Sequence, residues 1–298
     1  MQSLYSYFSI ETEDLAASQK LMLKHFNEVI ELKFVLISLL VELVNYADNF
    51  YEQAKKKHFP TSSDLDPNRK FIDNQIIHNI QNNSMLMKEI SKYSSFWLNN
   101  DHDILNKIFI DVNKSDLYNT YLDSNINNID YDKKFIVDVM NQYILNHQLV
   151  HHMLEERSIY WIDDLPFIAT IFFGDIKNDN NIFSKKVFKD LSDKNFALDL
   201  FKSVINNNIS YDNIIIKFSE NWELDRIAKM DQLIIKMAVA EIMTMEALPV
   251  KVTLNEYIEI SKYYSTKKSR VFINGLLDNF IKTYIKEGKI TKVGKGLV

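Results

Sequence analysis

Residues 222–280 read WELDRIAKMDQLIIKMAVAEIMTMEALPVKVTLNEYIEISKYYSTKKSRVFINGLLDNF, and the hydrophobic pattern of this stretch decides the fold class. Leu233, Ile234, Ile235, Met237, Ala238, Val239, Ala240, Ile242 and Met243 cover nearly the whole circumference of a helix predicted over Asp231–Met245. A helix that is apolar all round must be buried on most sides, so it needs partners. The same periodicity predicts them over Asn195–Asn206, Tyr211–Asn221, Leu254–Tyr264 and Lys268–Lys286, making 191–298 a helical core. Thr253 and Glu256 fit a T-x-x-E capping box, which predicts a helix start just there; losing such a cap costs ~1 kcal/mol.

Outward from this core the chain stays helical. Five Gly and four Pro in 298 residues are too little turn chemistry for a β-sandwich, and an all-α fold is expected. Met22, Val29, Leu36, Leu43 and Phe50 recur every seven residues, with Leu32, Leu39 and Tyr46 between them, and predict one long helix over 15–57. Pro60 and Pro67 bracket a loop at Thr61-Ser62-Ser63-Asp64. A second helix is predicted over Arg69–Leu98, pairing with the first as a hairpin, and a third over Tyr131–Trp161. Pro166 and Gly174 then punctuate the chain, and Asp175–Asn181 has loop composition, marking an internal boundary. The expected organisation is a first core helix within 1–14, a long-helix insertion over 15–190, and the helical core of 191–298.

Composition also excludes. Without cysteine there is no disulfide framework, thiolate metal cluster or thiol nucleophile. The most apolar run, Phe34–Val41, is eight residues long, against the ~20 needed to span a bilayer. No cleavable leader pattern opens the chain, and a cytoplasmic address is expected. His147, His151 and Glu155 share a helix face, but with neither an H-E-x-x-H motif nor a matching pair elsewhere they read as a polar flank. Glu155-Glu156 and Asp163-Asp164 are sequence neighbours that diverge on a helix and make a poor acid–base dyad. No phosphate loop, nucleophile elbow or dinucleotide fingerprint occurs, so a non-enzymatic protein without cofactor or metal is expected.

Net charge is −5, unevenly spread. From Lys262 to Val298 nine cations stand against Asp278 and Glu287, leaving seven positive charges in the tail and twelve negative before it. On these grounds alone the tail reads equally as a phosphate footprint or as a solvated lysine-rich end.

In order, R-I-A-K-M-D, the A-x-x-E-I closing into L-P-V-K-V-T-L-N-E-Y-I-E-I-S-K-Y-Y, and S-R-V-F-I-N-G-L-L-D resemble the C-terminal half of the NusB family of transcription antitermination factors. FALDLFKSVINNNISYDNII is similar to the family's middle helices. MQSLYSYF resembles its first helix, without the arginine-rich segment that precedes it in the family, so the core reads as N-terminally truncated. The resemblance covers roughly Met1–Phe8 and Phe196–Ile290, and the rest looks like a helical insertion of a long family member.

The resemblance implies a NusB-like bundle that, with the ribosomal protein NusE, binds boxA-like single-stranded RNA and joins RNA polymerase during ribosomal RNA transcription. It implies a base-contacting aromatic at Phe272, with Lys267, Lys268 and Arg270 ahead of it for phosphates; Lys268 stands where other members carry an acidic residue. Helical geometry puts Phe272 roughly 110° from the centre of the stripe Ile273, Leu276, Leu277, Phe280 and Tyr284, at the core's edge. Tyr5 is a second stacking candidate, or a packed core tyrosine. Asp231 matches an acidic position at the family's NusE surface and reads also as a favourable charge at a helix start, while Lys251 and Asn255 belong to the motif as partner-binding or packing residues. Gly275 is assigned to structure. The alternatives are a protein-interaction scaffold that has lost RNA binding, which upstream arginine codons would discriminate, and the NusB-like front of an RNA methyltransferase, disfavoured because no α/β domain follows within these residues.

Overall fold

The first helix, α1 (Gln2–Ile10), is followed by a 41-residue α2 (Leu15–Lys55) and a single turn, α3 (Ser62–Leu65). The computed structural model describes residues 1–10, 14–98, 103–177, 187–188, 190–219 and 223–292. Short helices come next: α4 (Gln75–Gln81), α5 (Ser84–Ile90), α6 (Ser94–Leu98), α7 (Ile104–Asn113), α8 (Asp116–Asp123) and α9 (Ile129–Val139). A π-helical turn, Met140–Ile144, leads to α10 (Gln148–Arg157) and α11 (Trp161–Lys177). The last five are α12 (Leu191–Asn206), α13 (Asn208–Phe218), α14 (Lys229–Thr244), α15 (Val250–Tyr264) and α16 (Lys267–Lys286). Among the described residues the fold is all-α, without a strand. None of these helices is long and apolar enough to cross a membrane.

The chain divides into two compact units, one of residues 1–24 with 188–298, the other of 25–187. In the second unit, buried Leu32, Leu36, Leu39, Leu40 and Leu43 of α2 pack with Phe71, Ile108, Phe109, Phe135, Ile136 and Phe172 into one continuous core. Lys33 is 2% exposed within it, and its Nζ lies 2.9 Å from Asp175 Oδ2 at the end of α11. A lone buried ammonium costs several kcal/mol, so this pair fixes where α11 meets α2.

That pair corrects one expectation. Asp175–Lys177 form the last turn of α11 instead of opening a loop, because the Asp175 carboxylate is held by Lys33; the remainder of the predicted loop, 178–181, lies outside the described residues. Pro166 and Gly174 sit inside the same helix. The predicted helix over Arg69–Leu98 is in fact α4, α5, a 3₁₀ turn and α6, because the Asn74 and Asn83 side chains cap two new helix starts. Asn74, fully buried, also donates to the Tyr121 hydroxyl, which donates to Asp132 Oδ1, so a polar node replaces helical continuity here. The helix predicted over Tyr131–Trp161 breaks likewise, where His147 Nδ1 accepts from Leu149 N and starts α10. The expected loop at 61–64 is a capped turn, closed by reciprocal bonds between Thr61 and Asp64.

One carboxyl in this unit carries a pH signature. Burial, with help from Asp163 and Glu28, pushes Asp164 up from 3.8 to about 6. The folded chain therefore holds a proton between about pH 4 and 6 that the unfolded chain has released, and that stability is lost as pH rises through 6. Asp164→Asn is expected to raise the urea midpoint at pH 7.5 by about 1 kcal/mol equivalent and to leave it unchanged at pH 4. Tryptophan fluorescence measures it, because Trp97 and Trp161 are both buried in this unit.

Candidate nucleic-acid interface

In the first unit α14 is the axis, packed by α12, α13, α15, α16 and α1. Residues from Leu233 to Ile242 are buried without interruption, which includes Lys236 and Glu241. Lys236 Nζ lies 2.7 Å from Asp212 Oδ1, donates to Asn208 Oδ1 at 2.6 Å, and stands 5.6 Å from the Phe8 ring centroid. Together with the Tyr7–Phe201 edge contact, this holds α1 on the bundle.

Glu241 accepts from Thr253 Oγ1 at 2.7 Å and from the Tyr257 hydroxyl at 2.9 Å, all three buried. Thr253 is therefore no cap. The expected capping box is corrected: α15 starts four residues earlier than Leu254, at Val250 after Pro249, and the Thr253 hydroxyl turns inward to the carboxylate. Burial, then the Glu241 charge, pushes the Tyr257 hydroxyl well above its ordinary range, so it stays a donor. Both Lys236 and Glu241 escaped the reading of the sequence, although a charge inside so apolar a run is itself a signal that a buried partner exists.

Asp231 opens α14 and is 5% exposed, and its Oδ1 accepts from Ser265 Oγ in the turn between α15 and α16. Thr266 caps α16, its hydroxyl accepting from Ser269 N at 3.1 Å. The first turn of α16 is thereby pinned to the start of α14. On this turn Lys267 and Lys268 are exposed, Arg270 is partly buried, Val271 is 74% exposed and Phe272 is half-buried at the edge of the stripe Ile273, Leu276, Leu277 and Phe280. Among the described residues no carboxylate pairs with Lys267, Lys268 or Arg270, and the buried Arg270 Nε has no acceptor.

Four other cations of the tail are engaged, whereas Lys286, exposed in the last turn of α16, has no paired carboxylate among the described residues. Lys262 pairs with Glu259, Lys282 with Asp278 at 2.6 Å and Lys289 with Glu287 at 2.6 Å, while Lys292 donates to Met245 O at 2.9 Å. Lys295 lies outside the described residues. The structure thus gathers Lys267, Lys268, Arg270 and Phe272 on two turns. Tyr5, 42% exposed, lies on α1, and Lys251 and Asn255 are exposed one turn apart on α15. Asp231, by contrast, spends its carboxylate inside the unit. Gly275 is exposed with open space around it, so no close helix crossing requires it. Among the described residues no group of three or more His, Asp or Glu is arranged to hold a metal ion.

The profile of the NusB family matches residues 172–282, which contain α14, α15 and most of α16. The transcription antitermination protein NusB of Chloroherpeton thalassium is 40% identical over 117 residues, 39% of this chain and 56% of that protein. Those of Salinibacter ruber and Leptospira biflexa are 38% identical over 110 residues and 37% over 103, covering 37% and 35% of this chain and 69% and 72% of the relatives. The chain thus spans little more than half the length of the first of these. No solved structure matches it.

The Glu241 cluster yields the prediction for this unit. Glu241→Ala would leave two buried hydroxyl donors without an acceptor, and is expected to cost about 2–4 kcal/mol in urea unfolding. Thr253→Ala, which leaves Tyr257 on the carboxylate, should cost about half as much.

Proposed function

The chain belongs to the NusB family, and from that premise we propose that it is an RNA-binding transcription antitermination factor whose α16 start meets single-stranded RNA. In this reading it works with the ribosomal protein NusE on boxA-like RNA and joins RNA polymerase during ribosomal RNA transcription. Lys267, Lys268 and Arg270 meet phosphates, and Phe272, with Tyr5 as a second platform, stacks on unpaired bases. Lys251 and Asn255, exposed on α15, face the protein partner, while Asp231 serves the site from inside by holding the α15–α16 turn.

The observation that carries the reading is the charge at the start of α16. A helix N-terminus carries about half a positive charge, and each cation on its first turn costs ~0.3–1 kcal/mol at low ionic strength. This helix has no acidic residue in that turn, three cations within its first four positions, and a buried Arg270 Nε lacking an acceptor among the described residues. Phosphate oxygens supply what the protein does not: a compensating charge for the two lysines and the guanidinium. Stacking on an aromatic platform adds ~1–3 kcal/mol per base.

Titration with single-stranded boxA-like RNA, with and without NusE, tests this directly. Affinity is expected to fall by ~0.7 log unit per tenfold salt for each phosphate neutralised, and Phe272→Ala to weaken binding about tenfold with little change in melting temperature. A flat salt response would remove the phosphate contacts, and a large loss of stability would return Phe272 to the core. A protein scaffold that does not touch RNA would bind NusE alone.

Lys267→Glu separates the two consequences of this charge placement. It is expected to stabilise the fold by a few tenths of a kcal/mol to ~1 kcal/mol while weakening RNA binding, measured by thermal unfolding and titration on the same preparation. Parallel losses in both would sink the interpretation.

A further inference from the structure

Gly275 lies near the middle of α16, exposed, and a Cβ placed on it would meet nothing within 4 Å. A glycine inside a helix destabilises it relative to alanine, because more backbone freedom is lost on folding and no side chain is gained. Proteins offset that loss where two backbones cross closely or where φ is positive. Neither reason applies at Gly275: its surroundings are open and, among the described residues, the glycine with a positive φ is Gly288. The remaining physical use of a missing side chain is close approach of a ligand to the helix backbone.

The helix places cations on both sides of that gap. At about 100° per residue, Lys268 and Lys286 fall on one line of the α16 surface about 27 Å apart, and Gly275 lies within about 20° of it. Asn279 is as close on the other side, and Phe272 stands one turn before Gly275 on the adjoining row. This line faces away from the buried stripe of Ile273, Leu276, Leu277 and Phe280, and Lys268, Asn279 and Lys286 are all exposed. Neither Lys268 nor Lys286 has a paired carboxylate among the described residues. Lys282, which borders the line, pairs with Asp278 at 2.6 Å, so the line is cationic at its two ends and neutral between them.

We propose that single-stranded RNA, after stacking a base on Phe272, runs lengthwise along this line of α16, its sugar–phosphate backbone nearest the helix at Gly275 and a further phosphate held by Lys286. The proposal rests on the RNA reading above and carries its path about four turns past Phe272. Two unpaired ammonium groups so far apart suit an extended polyanion, because one compact anion does not reach both. The exposed amide of Asn279 both donates and accepts, which fits a base edge or a ribose 2′-hydroxyl passing beside it. Any side chain at position 275 would hold that strand off the helix, so the instability glycine brings to the free protein is offset when RNA is bound.

Fluorescence anisotropy of a labelled boxA-like RNA of about twelve nucleotides, titrated with the full chain in the presence of NusE, tests the path. Gly275→Leu is expected to raise Kd about tenfold and Gly275→Ala about threefold, as overfilling a close contact does. Both should raise the melting temperature by about 2–4 °C, because a better helix former replaces glycine in open space. Asn274→Leu, exposed on the same helix but about 120° off the line, should stay within about twofold in Kd. Lys286→Ala should reduce the slope of log affinity on log salt by ~0.7, whereas Lys289→Ala, whose ammonium is held by Glu287, should leave it unchanged. RNA binding that Phe272→Ala weakens and Gly275→Leu leaves intact would overturn this path while keeping the RNA reading; no RNA binding by the native chain would overturn both. A fall in melting temperature alongside the loss of affinity would return Gly275 to a structural role. Weaker binding of NusE alone by Gly275→Leu would assign the line to the protein partner and overturn the RNA path.

Discussion

The carboxylate of Glu241, sealed inside the first unit, sets the terms for everything packed around it. A charge at that depth is tolerated only while Thr253 and Tyr257 both donate to it, so α15 has one acceptable rotation and one acceptable height against α14. An all-round apolar helix such as α14 has no preferred azimuth of its own. Polar anchors give it one: Lys236 to Asp212 and Asn208 on α13, Glu241 to α15, Asp231 to the turn before α16, and the Met245 carbonyl to Lys292. Hydrophobic burial supplies the driving force of this bundle, and these contacts supply its register.

The same logic separates what could be read in the sequence from what could not. Helix identity in the core was legible because its apolar periodicity is local, and α14 and α16 start within two residues of their predicted positions. Thr253 was misread because a T-x-x-E string looks the same whether the hydroxyl caps its own helix or reaches a carboxylate twelve residues back. In the second unit, apolar spacing ran straight through Asn74, Asn83 and His147, whose side chains cap new helices, Asn74 being tied to Tyr121 as well. Asp175 carries loop chemistry in isolation and helix chemistry opposite Lys33. Thr253, Asp175 and Asn74 have partners far along the chain, whereas Asn83 and His147 act as local caps two or three residues from the backbone N–H they accept from.

For the candidate site, sequence located the cations and the aromatic ring of α16, but not how they are held. The internal use of Asp231 is invisible without the turn it binds, and so is the difference between tail lysines. Lys282 and Lys289 have neighbouring carboxylates, whereas Lys267 and Lys268 have none among the described residues. A count of seven excess positive charges treats these as equals. In the structure Lys267, Lys268 and Arg270 lie together at one helix start, which concentrates charge there, while Lys286 stands exposed at the other end of the same helix.

Placing that local charge against the dipole of α16 works against folding and has no structural return in the isolated unit. Dipole repulsion raises the free energy of the unliganded surface, and in the proposed reading an anion with several acceptor oxygens would relieve it. Relief of this kind adds to binding without further contacts, because the free protein already carries the cost. In the proposed reading the aromatic edge at Phe272 would decide which anion benefits: a ring beside phosphate contacts favours a chain whose bases are unpaired over a duplex, whose bases are already stacked on each other.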